Sequence, residues 1–377
     1  VALFSDDRMP DGRMPAERAH ITRRGGGAGR TGWIVLCIAI AIGLILAVAP
    51  APYVIDKPGP VYNTLGTADH DGEERPLISI PDEKVYPTSG SLDLLTVSRV
   101  GNPDTRPNWL AVMGAWLASS EAVVPIDVAY PPSVTTEQRE QANEALMVDS
   151  QQDAIAAALT ELGYDYPTTL TVVSLSTDSR SEGIIEPDDQ VVSVNGEAVA
   201  GVEELREALN DNGADTEATI GIIRDGVEKD VIVTPADVGG AVVAGINVGV
   251  EYDFPIDVEL QLDRVGGPSA GMMFALGIID KLTPGKIQGG EHVAGTGTID
   301  QSGKIGAIGG IRQKLYGARD AGAEWFLTPE SNCNEVTGHV PDGLTVFAVE
   351  TLDDSLAALE AIRTGEGASE LPTCPVD

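Results

Sequence analysis

Hydrophobic positions along the chain fall into three patterns. Near the N-terminus, Trp33–Ala51 is apolar apart from glycine and proline, and no charge occurs from Thr31 to Ile55. These nineteen residues, at 1.5 Å each, reach about 28 Å, the hydrocarbon thickness of a bilayer, which predicts a transmembrane helix over 33–51. Residues 52–165 carry short apolar runs among prolines. Leu77–Ile80, Leu92–Val97 and Ala122–Ile126 read as strands, and 109–118 as a helix. Thr135-x-x-Gln138 looks like a capping box opening a helix, and Ser150-x-x-Asp153 like a second one. Good helix formers then continue over Asp153–Leu162 to a stop at Gly163. From Thr169 the pattern becomes an alternation of period two. Strands are expected at Gln190–Val194, Ala218–Ile223 and Glu228–Val233, with a turn at Asn195-Gly196 and a helix over Val202–Leu209. Further on, Met272–Ile279 is apolar on every side, the mark of a buried helix. The helix 310–321 bears a stripe of Ile311, Leu315 and Ala318, with Lys314 at its rim. Arg312, Gln313, Arg319 and Asp320 point elsewhere.

Charge gives the apolar segment a direction. Residues 1–32 hold six arginines against four acids, so the net charge of −34 divides into +2 at the tip and −36 beyond it. An arginine cluster ahead of a span keeps that end in the cytoplasm and puts residues 52–377 outside. A cleaved signal peptide is the rival reading. Its apolar region is usually shorter, and both A-x-A patterns, Ala47–Ala49 and Ala49–Ala51, run directly into a proline. Val1 reads as an alternative start codon, with Met9 and Met14 as other starts. Acidity on this scale argues against a nucleic-acid binder, whereas 42% hydrophobic residues is ordinary for folded chains. A length of 377 residues implies two or three domains. None of the three cysteines has metal-site spacing, and no cofactor is expected.

Candidate chemistry centres on Gly267-Pro268-Ser269-Ala270-Gly271. Pro268 suits a first helical turn, which would put Ser269 at a helix N-terminus where amide groups and the dipole favour an oxyanion. A serine nucleophile needs a base. None of His20, His70, His292 and His339 sits in a base motif, but a lysine kept neutral by burial would serve. Lys314 has the position for it, with a snorkelling lysine as the alternative; Lys281 and Lys304 look solvated. G-x-S-x-G also admits an α/β-hydrolase reading with Asp320 and His339.

The run GIIEPDDQVVSVNGEAVAGVEELREAL resembles a PDZ domain of the bacterial protease type, departing from the pattern at Pro187-Asp188, where that family has glycine. The resemblance implies peptide binding by strand addition, with packing against a neighbour and no binding as the other reading; Gly245, Ile246 and Asn247, within 244–248, are the candidate peptide-binding loop. The segments GGPSAGMMFALGIID and GAIGGIRQKLYGARDAG, with GTGTID between them, resemble the proteolytic domain of Lon proteases. That resemblance implies a catalytic Ser269–Lys314 pair, Thr296 beside the lysine, and Gly267 and Ala270 as supporting positions. No G-x-x-x-x-G-K-[ST] occurs, so hydrolysis without ATP is expected. Gly266 stands where Lon proteases often carry an acid, so any role of that acid is either absent or supplied elsewhere, with Asp263 as the candidate.

The whole is similar to the bacterial membrane-anchored PDZ–Lon-like family, an α+β multidomain arrangement. The expected division is a cytoplasmic N-terminus (1–32), transmembrane helix (33–51), extracytoplasmic spacer (52–165), PDZ-like β-rich domain (166–253), Lon-type α/β proteolytic domain (254–364) and tail (365–377). Implied partners are protein or peptide substrates, the cell membrane and further copies of the chain, and neither ATP nor nucleic acid. The alternative is a non-catalytic membrane scaffold. Cys333 and Cys374, both on the exported side, are expected to pair, with two independent thiols as the other reading.

Overall fold

The computed structural model describes residues 28–70, 72–131, 135–262 and 266–375; Asp263 and the arginines before Arg30 lie outside them. The charge-free segment folds as helix α1 (Ala28–Val48), solvent-exposed along most of its length. Its end falls three residues short of the expected Ala51. Pro50 has no amide hydrogen and restricts the residue before it, so the helix cannot run through to Ala51.

Strand β1 (Tyr53–Asn63) follows directly, then β2 (Ser91–Val100), helix α2 (Trp109–Leu117) and β3 (Ala122–Pro125). Helix α3 (Thr136–Glu161) opens on the expected capping box of Thr135 and Gln138. It is one continuous helix, so Ser150 lies in its interior and is not a second cap. The run 150–162 is strongly helical, and nothing before it breaks the chain. Gly163 ends it in the left-handed region at φ 80°, donating to Thr160 O.

The alternating segment gives β4 (Thr168–Leu175), β5 (Gln190–Val194), α4 (Val202–Asn212), β6 (Ala218–Arg224), β7 (Val227–Val233) and β8 (Ile246–Tyr252). They form an antiparallel sheet in the order β7-β6-β5-β4-β8, with Leu170, Val172, Ile220 and Ile222 fully buried in its core. Asn195 and Gly196 both have positive φ, as the tight turn requires. Asp188 also sits at φ 70°. Aspartate is among the few side chains that tolerate this conformation.

The principal later elements are α5 (Gly271–Leu282), β9 (His292–Gly295), β10 (Thr298–Ile299), α6 (Ile311–Asp320), β11 (Trp325–Pro329), β12 (Thr345–Val349) and α7 (Leu352–Thr364). They do not form a sheet of their own. The principal sheet runs β12-β11-β9-β2-β1-β3, parallel from β12 to β2 and antiparallel from there to β3. Residues 52–165 are therefore built into the same layer as 254–364, where a separate spacer was expected. Their strands are short apolar runs with an unsatisfied edge, and pairing with β9 supplies the missing hydrogen bonds. Helix α3 packs on α5 in one core, which includes Met147, Ala154, Leu159, Phe274 and Ile278. The chain is thus α+β, with a β-rich unit inserted between two parts of a mixed sheet.

Candidate active site

The turn carrying Ser269 needs small residues for specific reasons. Gly267 has φ 89°, which only glycine adopts without strain, and its N–H donates to Asn143 O at 3.2 Å. A Cβ on Gly271 would come within 2.9 Å of both Ile299 Cγ2 and Ser150 Oγ. Helix α5 starts at Gly271, later than a helix with Pro268 in its first turn would. The Ser269 carbonyl is already engaged by the Gly297 N–H at 3.1 Å and the Thr296 hydroxyl at 2.9 Å, so it does not join the helical ladder. Ser269 and Ala270 accordingly precede the helix. Their amide hydrogens have no acceptor among the described residues.

Helix α6 brings the lysine. Gly310 caps it at φ 71°, and a Cβ there would meet Val97 Cγ2 at 2.7 Å, so glycine lets the helix lie close on β2. Ile311, Leu315 and Ala318 face the sheet as expected. Lys314 is only 2% exposed, so it does not snorkel, and Gln313 is buried as well. Lys314 Nζ lies 2.8 Å from Ser269 Oγ and 2.8 Å from Thr296 Oγ1. Burial alone pushes the amine down to about 7. Thr296 is buried too, and its hydroxyl donates to the Ser269 carbonyl while accepting from Nζ. As an ammonium, Nζ donates to Oγ; as a neutral amine it would accept the serine proton.

The other candidates go elsewhere. Lys304 is exposed, while Lys281 is half-buried and its amine depressed by burial, with neighbouring Asp280 opposing the shift. Arg312 Nη2 donates to His339 Nε2 at 2.7 Å, and His292 pairs with Asp93. Neither histidine nor Asp320 hydrogen-bonds Ser269, so the hydrolase-type triad is not assembled.

Ser269 and Lys314 open into a cleft of about 620 Å³ whose walls include Tyr62, Leu94, Val97 and Ile308. Strand β2 pairs with β9 only over Ser91–Leu94. Beyond Leu94 it has no partner on that side among the described residues, and Leu95–Ser98 line the cleft. Two contributions escaped the sequence reading. Strand β2 was recognisable as a strand, but no motif marked it as a cleft wall. Ser150 donates from Oγ to Pro268 O at 2.9 Å, steadying the serine turn from the middle of α3.

In the inserted unit, Gly245 has φ 75° and packs on Ser179, Ile246 begins β8, and Asn247 Nδ2 donates to Ser174 Oγ at 3.0 Å. Strand β8 ends its sheet. A cleft of about 330 Å³ separates it from α4, between Val248 and Val250 on one side and Val202 and Arg206 on the other. Asp153 of α3 and Gln301 close one end. There Tyr252 donates to Asp153 Oδ1 at 2.8 Å. Desolvation, opposed by the tyrosine and aided by Asp300 and Asp149, pushes Asp153 up to about 6.

Residues 264–361 match the Lon protease (S16) C-terminal proteolytic domain. The chain is 34% identical to the Lon protease of Geobacter metallireducens over 123 residues, covering 32% of this chain and 15% of that protein. It is 39% identical to the Lon protease of Clostridium beijerinckii over 109 residues, covering 28% and 14%. The chain therefore spans only about one-seventh of the length of these relatives. Among solved structures, the PDZ domain of an SdrC-like protein from Listeria monocytogenes aligns with 21% of this chain and 85% of its own, at 15% identity and a TM-score of 0.20. Residues 264–361 of the chain thus correspond to a Lon-type proteolytic domain.

Proposed function

We propose that this chain is a membrane-anchored serine endopeptidase that cleaves unfolded or tail-exposed proteins outside the cytoplasm without ATP. The observation that carries the reading is a buried lysine amine, depressed to about 7, at 2.8 Å from the hydroxyl of Ser269. Neutral Lys314 takes the Ser269 proton as Oγ attacks a peptide carbonyl. The amides of Ser269 and Ala270 receive the oxyanion. As the C–N bond breaks, Lys314 returns its proton to the leaving amine. Water then attacks the acyl-enzyme with the same amine as base, restoring Ser269. Thr296 fixes Nζ by its hydrogen bond and holds the Ser269 carbonyl.

Substrate would reach the serine as an extended chain beside Leu95–Ser98, whose open edge and apolar neighbours suit strand addition. The PDZ-like unit would take a chain end along β8, beginning at Gly245-Ile246-Asn247. Anchoring rests on α1, whose apolar window Arg30–Val48 is long enough to cross a bilayer, and its direction on the arginines before it.

The test is cleavage of a denatured protein by the full chain in detergent, with N-terminal sequencing of the products. New termini that vanish in Ser269→Ala support the proposal. Products that persist in that variant would refute it.

A further inference from the structure

Helix α2 is unusual in having no polar face. Its sequence, Trp109-Leu-Ala-Val-Met-Gly-Ala-Trp-Leu117, holds no charged or hydrogen-bonding side chain apart from two indoles. Only Val112 and Ala115 are buried, in a small cluster with Ala51 and Ile55. Leu110, Met113 and Trp116 are about half exposed, and Leu117 is 89% exposed. A short helix apolar all round belongs in a protein core or in lipid, and no protein element among the described residues covers this face.

Its position says which. The end of α1 is tied directly to the start of α2: Trp109 N donates to Ala49 O at 3.3 Å, Ala51 N donates to Pro107 O at 2.8 Å, and Pro50 bridges to Asn108. If α1 spans the bilayer from Arg30 to Val48, about 28 Å by helical rise, then Val48 lies at the outer hydrocarbon boundary and α2 begins at that depth. Tyr53 stacks edge-on against both Trp109 and Trp116 at 5.9 Å, an aromatic group at the level where such rings favour the membrane interface. No acid occurs in α2, although the chain beyond residue 32 carries −36.

We infer that α2 lies in the outer leaflet at the headgroup–acyl boundary, with Leu110, Met113, Trp116 and Leu117 inserted in lipid, so that the proteolytic unit is held on the membrane at a second point. This rests on α1 being a membrane anchor. It turns the β3 end of the principal sheet toward the bilayer and the β12 end away. Two attachments restrict tumbling about the single span, so the cleft keeps a constant aspect to the membrane.

The experiment uses full-length chain with Cys37→Ser, Cys333 and Cys374 being bridged. Nitroxides are placed singly by Met113→Cys, Leu117→Cys, Ile42→Cys and Val227→Cys, all exposed positions. The chains are reconstituted in bilayers of phosphatidylcholine with a minor share of phosphatidylglycerol, and collision with oxygen is compared with collision with a water-soluble nickel chelate. The expected result is an oxygen-to-nickel ratio at 113 and 117 several-fold above that at 227 and approaching that at 42. A lipid signature at 42 with water-like values at 113 and 117 overturns the inference and leaves the anchor intact. Water-like values at all four positions overturn both. Dipolar broadening at 117 that disappears on dilution with unlabelled chain would assign the face to a second copy and overturn it as well.

Discussion

Ser150 and Pro268 lie 118 residues apart and are joined by a 2.9 Å hydrogen bond from the Ser150 hydroxyl to the Pro268 carbonyl. The bond links the interior of α3 to the turn that carries Ser269. Asn143, two turns earlier on the same helix, accepts from the Gly267 amide. Helix α3 therefore fixes both residues preceding the serine. Ser150→Ala removes one of these ties and leaves a small space. It should lower kcat about tenfold, with KM and the melting temperature little changed, because the loss is of orientation. Steady-state kinetics on a quenched peptide would check it; an unchanged kcat would show that Gly267 alone suffices.

Activity should rise with pH through an apparent pKa near 7. Burial disfavours the Lys314 ammonium and brings the amine down to about 7, and only the neutral form accepts the serine proton. Below that pH the ammonium predominates and kcat/KM falls about tenfold per pH unit. A pH profile that is flat from pH 5 to about pH 9 would remove Lys314 as the base.

The approach of Lys314 to Ser269 was foreshadowed by local signals, a serine among small residues and a lysine on the rim of an apolar stripe. The inserted sheet was legible for a similar reason, since period-two alternation and Asn-Gly are local signals. What stayed hidden was long-range. Nothing in Leu92–Val97 says that its first residues, Leu92–Leu94, pair with Val293–Gly295 some 200 residues later, so the segment before the inserted unit looked like a spacer. Ser150 was misread because serine three residues before aspartate marks a helix start only when the chain upstream is not already helical. The depth of Lys314 depended on Gly310 and its approach to Val97, a contact between segments far apart in sequence.

Thr296 separates a positioning role from a merely structural one. Its hydroxyl accepts from Lys314 Nζ and donates to the Ser269 carbonyl. Thr296→Val keeps the shape, removes both bonds and leaves the amine without a fixed direction. The expected loss is about 100-fold in kcat, with a displaced pH midpoint. Thr296→Ser should restore most of the rate. Equal activity of the valine and serine variants would assign Thr296 to packing alone.

Cys333 and Cys374 are bridged across 41 residues, with Cys374 buried against the core that holds α6. The segment before it is also fastened by Ala348 N donating to Pro372 O at 2.9 Å. By the chain-entropy model, closing a loop of this size is worth about 4 kcal/mol, of which measured cases deliver about 2–4. Cys333→Ser with Cys374→Ser should therefore lower the melting temperature, and a reductant should lower that of the wild type but not of the double variant. Identical melting with and without reductant in the wild type would refute the bridge in solution.

The buried amine of Lys314 should make the protein less stable near neutral pH than it would be with an apolar residue in its place. In the unfolded chain Lys314 titrates at its ordinary value of about 10.4, and in the fold at about 7. Between these limits the unfolded state holds a proton that the folded state has released, so stability rises with pH across that window. Lys314→Met has nearly the same length and no charge to desolvate. At about pH 7 the variant should melt a few degrees above the wild type. As pH climbs toward 10 the unfolded lysine also becomes neutral, and the difference should shrink. Thermal melts of both proteins across that range test the sign directly. A gap independent of pH would mean that the amine titrates alike in both states, and the proposed neutral base would lose its physical origin.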